Sequence, residues 1–382
     1  QLTSDVPLGS FLSGGLDSSS IVAIARKKIP NINCFTIKLK GKIEDGFNDD
    51  IPYAENVAKF LNVPLDIVEV EASTIAKNIE EMVWQLDEPL ADPASINVLL
   101  ISKLAREKGI KVLLSGCGGD DVFSGYRRHI ALQYEKLWNW LPKSALISIE
   151  NITGNLSINN HYFRRFRKAF SGASLDCNDR LVNYFSWVKN NTLDKLYTDK
   201  FRHELNNMRA ESIMLDFLES LPDGLSPLEK ILGIEQRFFL TDHNLIYTDK
   251  MSMRAGVEVR VPFLDTDLIS FASQIPDKYK VRGGEAKWAL KKAMEPFLPK
   301  DIIYRPKSGF GAPIRRWLTF ELFDWLNDIL SEDRLIARGI FNPVAVKELI
   351  EENAKGKVDA SYTLLSLACI EIWCKRFIDN VI

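Results

Sequence analysis

The chain has 382 residues, 46% hydrophobic and 26% charged, which is an ordinary globular composition with enough length for a sizeable core. Lysine and arginine number 49 against 51 aspartates and glutamates, and the formal net charge of −2 argues against a general polyanion binder while leaving room for a local basic patch. No apolar run approaches the roughly 20 residues of a membrane span, and the opening QLTSDVPLG has no secretory pattern.

In chain order, PLGSFLS reads as a buried strand and SSIVAIARKK as a helix with one apolar side. NCFTIKL is a second strand, and PYAENVAKFLN is a helix opened by Pro52. LDIVEV is a third strand, followed by two helices, STIAKNIEEMVWQL and SINVLLISKLAREKG, the latter closed by Gly109. IKVLLSG is a further strand that ends in glycines. Strands alternating with helices predict a mainly parallel sheet covered on both faces. From about Tyr134 the pattern turns helical, in NYFSWVKNNTLDKLY, SIMLDFLESL, LEKILGIEQRFFLTDHNL and SYTLLSLACIEIWCKRFI, with little strand signal. ITGNLSINNHY is the expected loose loop. The division predicted is an α/β core over 1–130 and a mainly helical part over 131–382 that returns to the site near 250–315.

The five cysteines, Cys34, Cys117, Cys177, Cys369 and Cys374, are odd in number and never spaced C-x-x-C, so a reduced, cytoplasmic protein is expected. His129, His161, His203 and His243 are dispersed and form no H-E-x-x-H, so zinc is not. HYFRRFRKAF interleaves aromatic and basic residues. The near-neutral chain favours an amphipathic helix with buried aromatics over a nucleic-acid surface. Cys369 and Cys374 read as core residues of an apolar helix.

The first strand runs into SGGLDSS and then a helix. Glycines at a strand-to-helix turn let several N–H groups and the positive helix end meet at one point, which attracts phosphate. Gly14 and Gly15 permit close approach, and Ser13, Ser18 and Ser19 add hydroxyls. Asp17 would repel a bare phosphate but suits a magnesium ion that bridges to it. The plain alternative is a flexible turn with an Asp/Ser helix cap. The segment matches neither G-x-x-x-x-G-K-[ST] nor G-x-G-x-x-G. VLLSGCGGDDVFSGYRRH repeats the device after a later strand, with Asp120 and Asp121. In a parallel sheet such loops converge on one crevice, where Asp17 and Asp120 would share a metal–triphosphate.

SGGLDSS resembles the pyrophosphatase loop of ATP-dependent enzymes that form acyl-adenylates. With LDEPLADPASI, LLSGCGGDDVFSGYRR, TDKMSMRAGVEVRVPFLD, GGEAKWALKKAM and YRPKSGFGAPIRRWL, the chain from Val6 onward resembles the synthetase domain of glutamine-hydrolysing asparagine synthetases and close amidotransferase relatives. The resemblance implies an adenine-nucleotide α-hydrolase-like fold. It also implies ATP-dependent amidation of a carboxylate with release of AMP and pyrophosphate, most simply aspartate to asparagine. Other carboxylates, a sugar acid or a ring-closing amide are alternatives, and so is a degenerate ATP-binding module.

By the same resemblance, Ser13, Gly14, Gly15, Asp17 and Ser18 grip the pyrophosphate part of ATP, and Asp17 and Asp120 bind Mg²⁺. Leu12, Ile37, Ser115 and Gly116 surround the adenosine. Lys307 lies near the reacting phosphate and carboxylate, with Lys287 in the pyrophosphate neighbourhood. The expected catalytic pair is therefore Lys307 and Asp17. The partners implied are a small-molecule carboxylate, ammonia and a glutaminase domain outside this chain, with a homodimer allowed for and no nucleic acid or membrane.

Two departures stand out. Cys117 occupies a position where the family carries an acid, and the chain begins only a few residues before the first strand. Asp87, Glu88 and Asp92 in the proline-rich turn read equally as substrate or metal contacts and as caps. Arg260 and Asp265 read as a structural ion pair or a substrate contact.

Overall fold

A computed structural model describes residues 1–40, 50–156, 161–306 and 313–379. Contacts divide the chain into two units. The first comprises Gln1–Leu86, Asp92–Gln133 and Glu235–Ala312; the second comprises Asp87–Ala91, Tyr134–Ile234 and Pro313–Ile382.

The first unit is built on a five-stranded sheet whose described pairings are all parallel, as the alternating pattern predicts. Strands β1 (Leu8–Phe11), β2 (Asn33–Leu39), β3 (Leu65–Val70), β4 (Val112–Leu114) and β5 (Glu258–Arg260) lie in the order β3-β2-β1-β4-β5. Four helices alternate with them: α1 (Leu16–Ala25), α2 (Ile51–Leu61), α3 (Ala72–Leu86) and α4 (Ala94–Glu107). The short turn α5 (Gly119–Phe123) follows β4. Leu12, Val22, Ile32, Cys34, Val57 and Leu114 are in the core packed on β1, and burying such side chains contributes roughly 1.5–3 kcal/mol each.

The chain builds outward from β1 to β3 and then returns to the other side of β1. Ser10 is consequently opposite Cys34 on one side and Leu114 on the other. The reversal between β1 and β4 is a topological switch point, and a parallel sheet opens a crevice there at its carboxyl edge. Both glycine-rich loops emerge at that edge, because each follows one of these two strands.

β5 departs from the helical reading of the second half. Three residues are too few to show a period, and Glu258 is fixed instead by pairing opposite Val112. The predicted helix over LEKILGIEQRFFLTDHNL is also two objects, an α-helix at Pro227–Ile234 and a π-helix at Glu235–Leu245. Wider π turns are concentrated at functional sites. Arg260 does not pair with Asp265. Its Nε bonds to Glu258 Oε1 at 2.8 Å and its Nη1 to the carbonyls of Gln1 and Thr3, while Asp265 caps the helix Thr266–Ser273.

The second unit is mainly helical. NYFSWVKNNTLDKLY is broken, with helices at Cys177–Asn183 and Asn190–Leu196. ITGNLSINNHY is not wholly a loop, since Lys143–Gly154 runs through its first three residues and 157–160 lie outside the described residues. HYFRRFRKAF forms the expected helix, His161–Phe170, yet Tyr162, Phe163 and Phe166 are exposed rather than buried. Cys369 and Cys374 are buried in Ser361–Phe377, as expected of core residues. No described helix is long and apolar enough to cross a membrane.

The two loops at the switch point touch. A Cβ on Gly116 would stand 2.7 Å from the amide nitrogen of Ser18, and the neighbour is backbone that cannot rotate away. Gly116→Ala is therefore expected to cost about 1–3 kcal/mol of stability in urea unfolding, because it overpacks a fixed contact. Unchanged stability would show that the loops separate freely.

Candidate active site at the sheet switch point

Local hydrogen bonds give each loop its shape. Ser13 N donates to Ser18 Oγ at 3.2 Å, Ser18 Oγ donates to the Gly15 carbonyl at 3.2 Å, and Gly15 N donates to Ser13 Oγ at 3.3 Å. Gly15 stands at the N-cap of α1, so the first-turn amides of that helix have no partner within it. In the second loop, Ser115 N donates to the Arg260 carbonyl at 2.8 Å, and Cys117 N donates to Ser115 Oγ at 3.1 Å. The unexpected strand β5 thus anchors the start of this loop.

The loops are joined by charge. Lys287 Nζ pairs with Asp17 Oδ2 and lies 2.6 Å from Asp120 Oδ1, so one ammonium holds a carboxylate from each loop. Its side chain is 9% exposed. Burial pulls the ammonium pKa down, but Asp120 and Asp17 outweigh it and the value is pushed up to about 12. Lys287 is charged at any working pH. It has φ +55, a left-handed conformation that costs a non-glycine residue roughly 1–3 kcal/mol and persists where surroundings over-determine it.

The loops line a cavity of about 720 Å³ with residues of the first unit. Phe11, Leu12, Phe35, Thr36, Val98 and Ile101 give it an apolar end beside Ser115 and Gly116. Tyr126, Phe239, Asn244 and Tyr247 form another wall, two of them from the π-helix. Tyr126 donates to Asp121 at 3.2 Å and accepts from Asn244 Nδ2 at 3.3 Å. Burial, then the field of Asp121 and neighbouring carboxylates, holds the Tyr126 phenol pKa well above its ordinary value. Tyr247 is raised in the same way by burial, Asp92, Cys117 and Asp121. Both remain hydroxyl donors.

Asp92 acts as a turn acceptor and also faces the cavity. Its Oδ1 accepts from Ala94 N at 2.9 Å at the start of α4, while Oδ2 lies 3.2 Å from His243 Nε2 and the residue lines the cavity. Burial lowers the His243 pKa, but the bond and charge of Asp92 raise it further, so the net shift is upward. Behind the wall, the fully buried Glu235 accepts from Arg128 and lies 2.9 Å from His129 Nε2, tying the π-helix to Arg127–Glu135.

Of the residues singled out in the sequence, Leu12, Ser13, Gly15, Asp17, Ser18, Ser115, Gly116, Cys117, Asp120 and Lys287 line this one cavity. Gly14 lies just behind it, against Tyr53 and Ala54. Ile37 is buried in β2 and does not line it; Phe35 and Thr36 of the same strand do. Asp87 and Glu88 belong to the second unit and are not in the lining, and the Asp87 carbonyl accepts from Trp373 Nε1 at 2.8 Å. Lys307 lies outside the described residues.

Arg305, Asp50, Asn244 and Tyr247 join the lining without having been singled out. Arg305 stood inside a quoted motif, whereas Asn244 in the π-helix and Tyr247 just after it carried no spacing signal.

Cys117 is a neutral thiol. Burial foremost, and then Asp121 and Asp120, push its pKa far above the ordinary cysteine value, against a smaller opposing effect of the Gly118 amide. A thiol in this field neither accepts a proton nor carries charge to a substrate.

The donor set fits a magnesium ion. No three His, Cys, Asp or Glu side chains among the described residues are grouped to hold a metal, but Mg²⁺ characteristically uses one or two carboxylates and completes its shell with phosphate and water. Asp17 and Asp120 already converge on a cation. A Cβ on Gly125 would stand 1.8 Å from Asp120 Oδ1, so the bare glycine leaves the space that carboxylate occupies.

The profile of the family described as Asparagine synthase matches residues 1–375. The chain belongs to the asparagine synthase family. It is 30% identical over 383 residues to "Asparagine synthetase [glutamine-hydrolyzing] 1" of Bacillus subtilis (strain 168), covering 97% of this chain and 56% of the relative. Against "Putative asparagine synthetase [glutamine-hydrolyzing]" of Mycobacterium bovis (strain ATCC BAA-935 / AF2122/97) the identity is 29%, covering 99% and 56%. "Amidase chyE" of Penicillium rubens (strain ATCC 28089 / DSM 1075 / NRRL 1951 / Wisconsin 54-1255) is 24% identical, covering 92% and 56%. The chain therefore spans little more than half the length of these relatives. The asparagine synthase domain is of the adenine-nucleotide α-hydrolase type, in accord with the all-parallel sheet and its flanking helices.

Two measurements check the electrostatics. Lys287→Met leaves two part-buried carboxylates facing each other and is expected to cost about 3 kcal/mol. Added Mg²⁺ should raise the melting temperature of this variant more than that of the parent, and equal shifts would contradict a cation site between the aspartates. In native protein at pH 8, iodoacetamide followed by mass spectrometry should label the exposed Cys177 well before Cys117. Equal rates would show that the Cys117 thiol is not held neutral.

Proposed function

We propose that the chain carries out ATP-dependent amidation of a carboxylate, with aspartate as acceptor and asparagine as product. The observation that carries this reading is the convergence of Asp17 and Asp120 on Lys287 at the carboxyl ends of β1 and β4, inside one cavity. Membership of the asparagine synthase family supports it.

Hydroxide is a poor leaving group, so ammonia does not displace it from a carboxylate. In the proposed sequence a carboxylate oxygen of the acceptor attacks the α-phosphorus of ATP. The bond to the bridging oxygen breaks, and pyrophosphate leaves with the electron pair. Ammonia then attacks the acyl carbon of the adenylate, loses a proton, and AMP departs to leave the amide.

The residues present suit the first step. Adenosine would rest against Leu12, Phe35 and Thr36 beside Ser115 and Gly116, while the polyphosphate faces the first turn of α1. Mg²⁺ held by Asp17 and Asp120 would neutralise charge on the pyrophosphate oxygens. Lys287 keeps the two carboxylates together and remains protonated throughout. Lys307, by its motif, is the second cation assigned to the reacting phosphate. Preorganised groups of this kind are typically worth a few kcal/mol of barrier each.

The proton lost by ammonia does not go to Cys117, whose neutral thiol has no basic lone pair to offer at working pH. Free ammonia is the nitrogen donor for assays of this chain.

Incubation with ATP, Mg²⁺, ammonia and a panel of carboxylates, followed by pyrophosphate release, tests the reading. Release that depends on aspartate is expected. Release with a different acid would move the acceptor, and ATP binding with no release under any acid would overturn the function. Asp17→Ala should reduce release at least about a hundredfold, the scale on which a metal ligand at the leaving group acts.

A further inference from the structure

Arg305 is in the first unit and lines the cavity, with its side chain 6% exposed. Its Nη1 donates to the carbonyl of Gly14 at 3.0 Å, and its Nη2 pairs with Asp50. The guanidinium carbon stands 4.0 Å above the Tyr53 ring. Asp50 is at the N-cap of α2 yet makes no capping hydrogen bond from its side chain; it faces the guanidinium instead. Two segments distant in sequence, at Gly14 and at Asp50–Tyr53, therefore meet on the planar cation of a third.

The contact matters because of what Gly14 is. It has φ +70, and a Cβ there would lie 2.5 Å from backbone atoms of both Tyr53 and Ala54. Only glycine fits, and a glycine peptide rotates at little steric cost. A loop that cradles an anion must offer N–H groups and keep carbonyl lone pairs engaged elsewhere, since a free carbonyl repels phosphate. The partner that holds the Gly14 carbonyl thus decides which face the loop presents.

We propose that Arg305 is a positioning residue of the anion loop: clamped by Asp50 and Tyr53, it occupies the Gly14 carbonyl so that the first-turn amides of α1 are what the loop offers to a polyphosphate. This rests on the reading of the cavity as an ATP site. The planar fork is essential to it. A lysine ammonium carries the same charge but does not span Gly14 and Asp50 while stacking on Tyr53.

The test uses Arg305→Lys and Arg305→Met in the full chain. Hydrogen exchange of peptides covering residues 10–20 is compared with peptides from the helix Ser361–Phe377. Calorimetry measures binding of magnesium pyrophosphate and of ATP, and kinetics give KM for ATP and for the acceptor. Both variants should exchange faster over 10–20 only, and both should bind pyrophosphate about tenfold more weakly or worse, as expected for loss of one charge-assisted hydrogen bond. KM for the acceptor should not change. Parental exchange and binding in Arg305→Lys would overturn the proposal, since charge alone would then suffice. A uniform rise in exchange across the chain would overturn it as well, by showing general destabilisation. Should the parent bind neither ATP nor pyrophosphate, the ATP reading fails, while the exchange comparison still decides whether Arg305 holds the loop.

Discussion

Two carboxylates from separate loops share one buried ammonium, and the rest of the site is arranged around that contact. Asp17 and Asp120 converge on Lys287, whose positive charge offsets the repulsion between two carboxylates held close together. The three groups still carry one net negative charge. A bare polyphosphate is therefore unwelcome beside them, while a polyphosphate that arrives with a divalent cation is not. On the proposed reading, this imbalance would favour a polyphosphate that arrives with a divalent cation.

The sheet makes the arrangement available. With the order β3-β2-β1-β4-β5, the strands on either side of the reversal are those that precede the two loops, so residues far apart in sequence face one crevice. Small residues then let the loops close on each other, as at Gly116 against Ser18. Strain is accepted where the charge contact requires it, and Lys287 holds a left-handed backbone at the head of Trp288–Met294. Another wall is supplied in part by the π-helix, which the Glu235 pairings fix. One side of the cavity is thus charged and set by loops, and the other is aromatic and set by an unusual helix.

Much of this was readable in the residues. β2 and β3 coincide with NCFTIKL and LDIVEV because short β-rich runs bounded by turns leave little choice of period. SGGLDSS and SGCGGDD were readable because glycines and carboxylates at strand ends have few other uses. Lys287 was visible in its motif, but its position between the aspartates was not, since a pairing across such sequence distance has no local signature. β5 was too short to register. The change from α to π winding at Glu235 leaves no mark in the spacing of apolar residues. Phe163 and Phe166 are exposed although their spacing predicts burial, because amphipathic spacing tells which residues share a face, and not whether that face is covered. Arg305 and the Asp92–His243 pair are contacts of the same non-local kind.

Everything proposed for this site turns on Asp17 and Asp120 forming a divalent-cation site at the leaving end of a nucleotide. The most direct measurement is a crystal structure of the chain grown with Mn²⁺ and α,β-methylene ATP, with anomalous data collected for manganese. An anomalous peak bound by both Asp17 and Asp120 and by oxygens of the bound polyphosphate is expected, with the polyphosphate against the first turn of α1. A peak that engages neither aspartate, or a polyphosphate bound away from that turn, would contradict it.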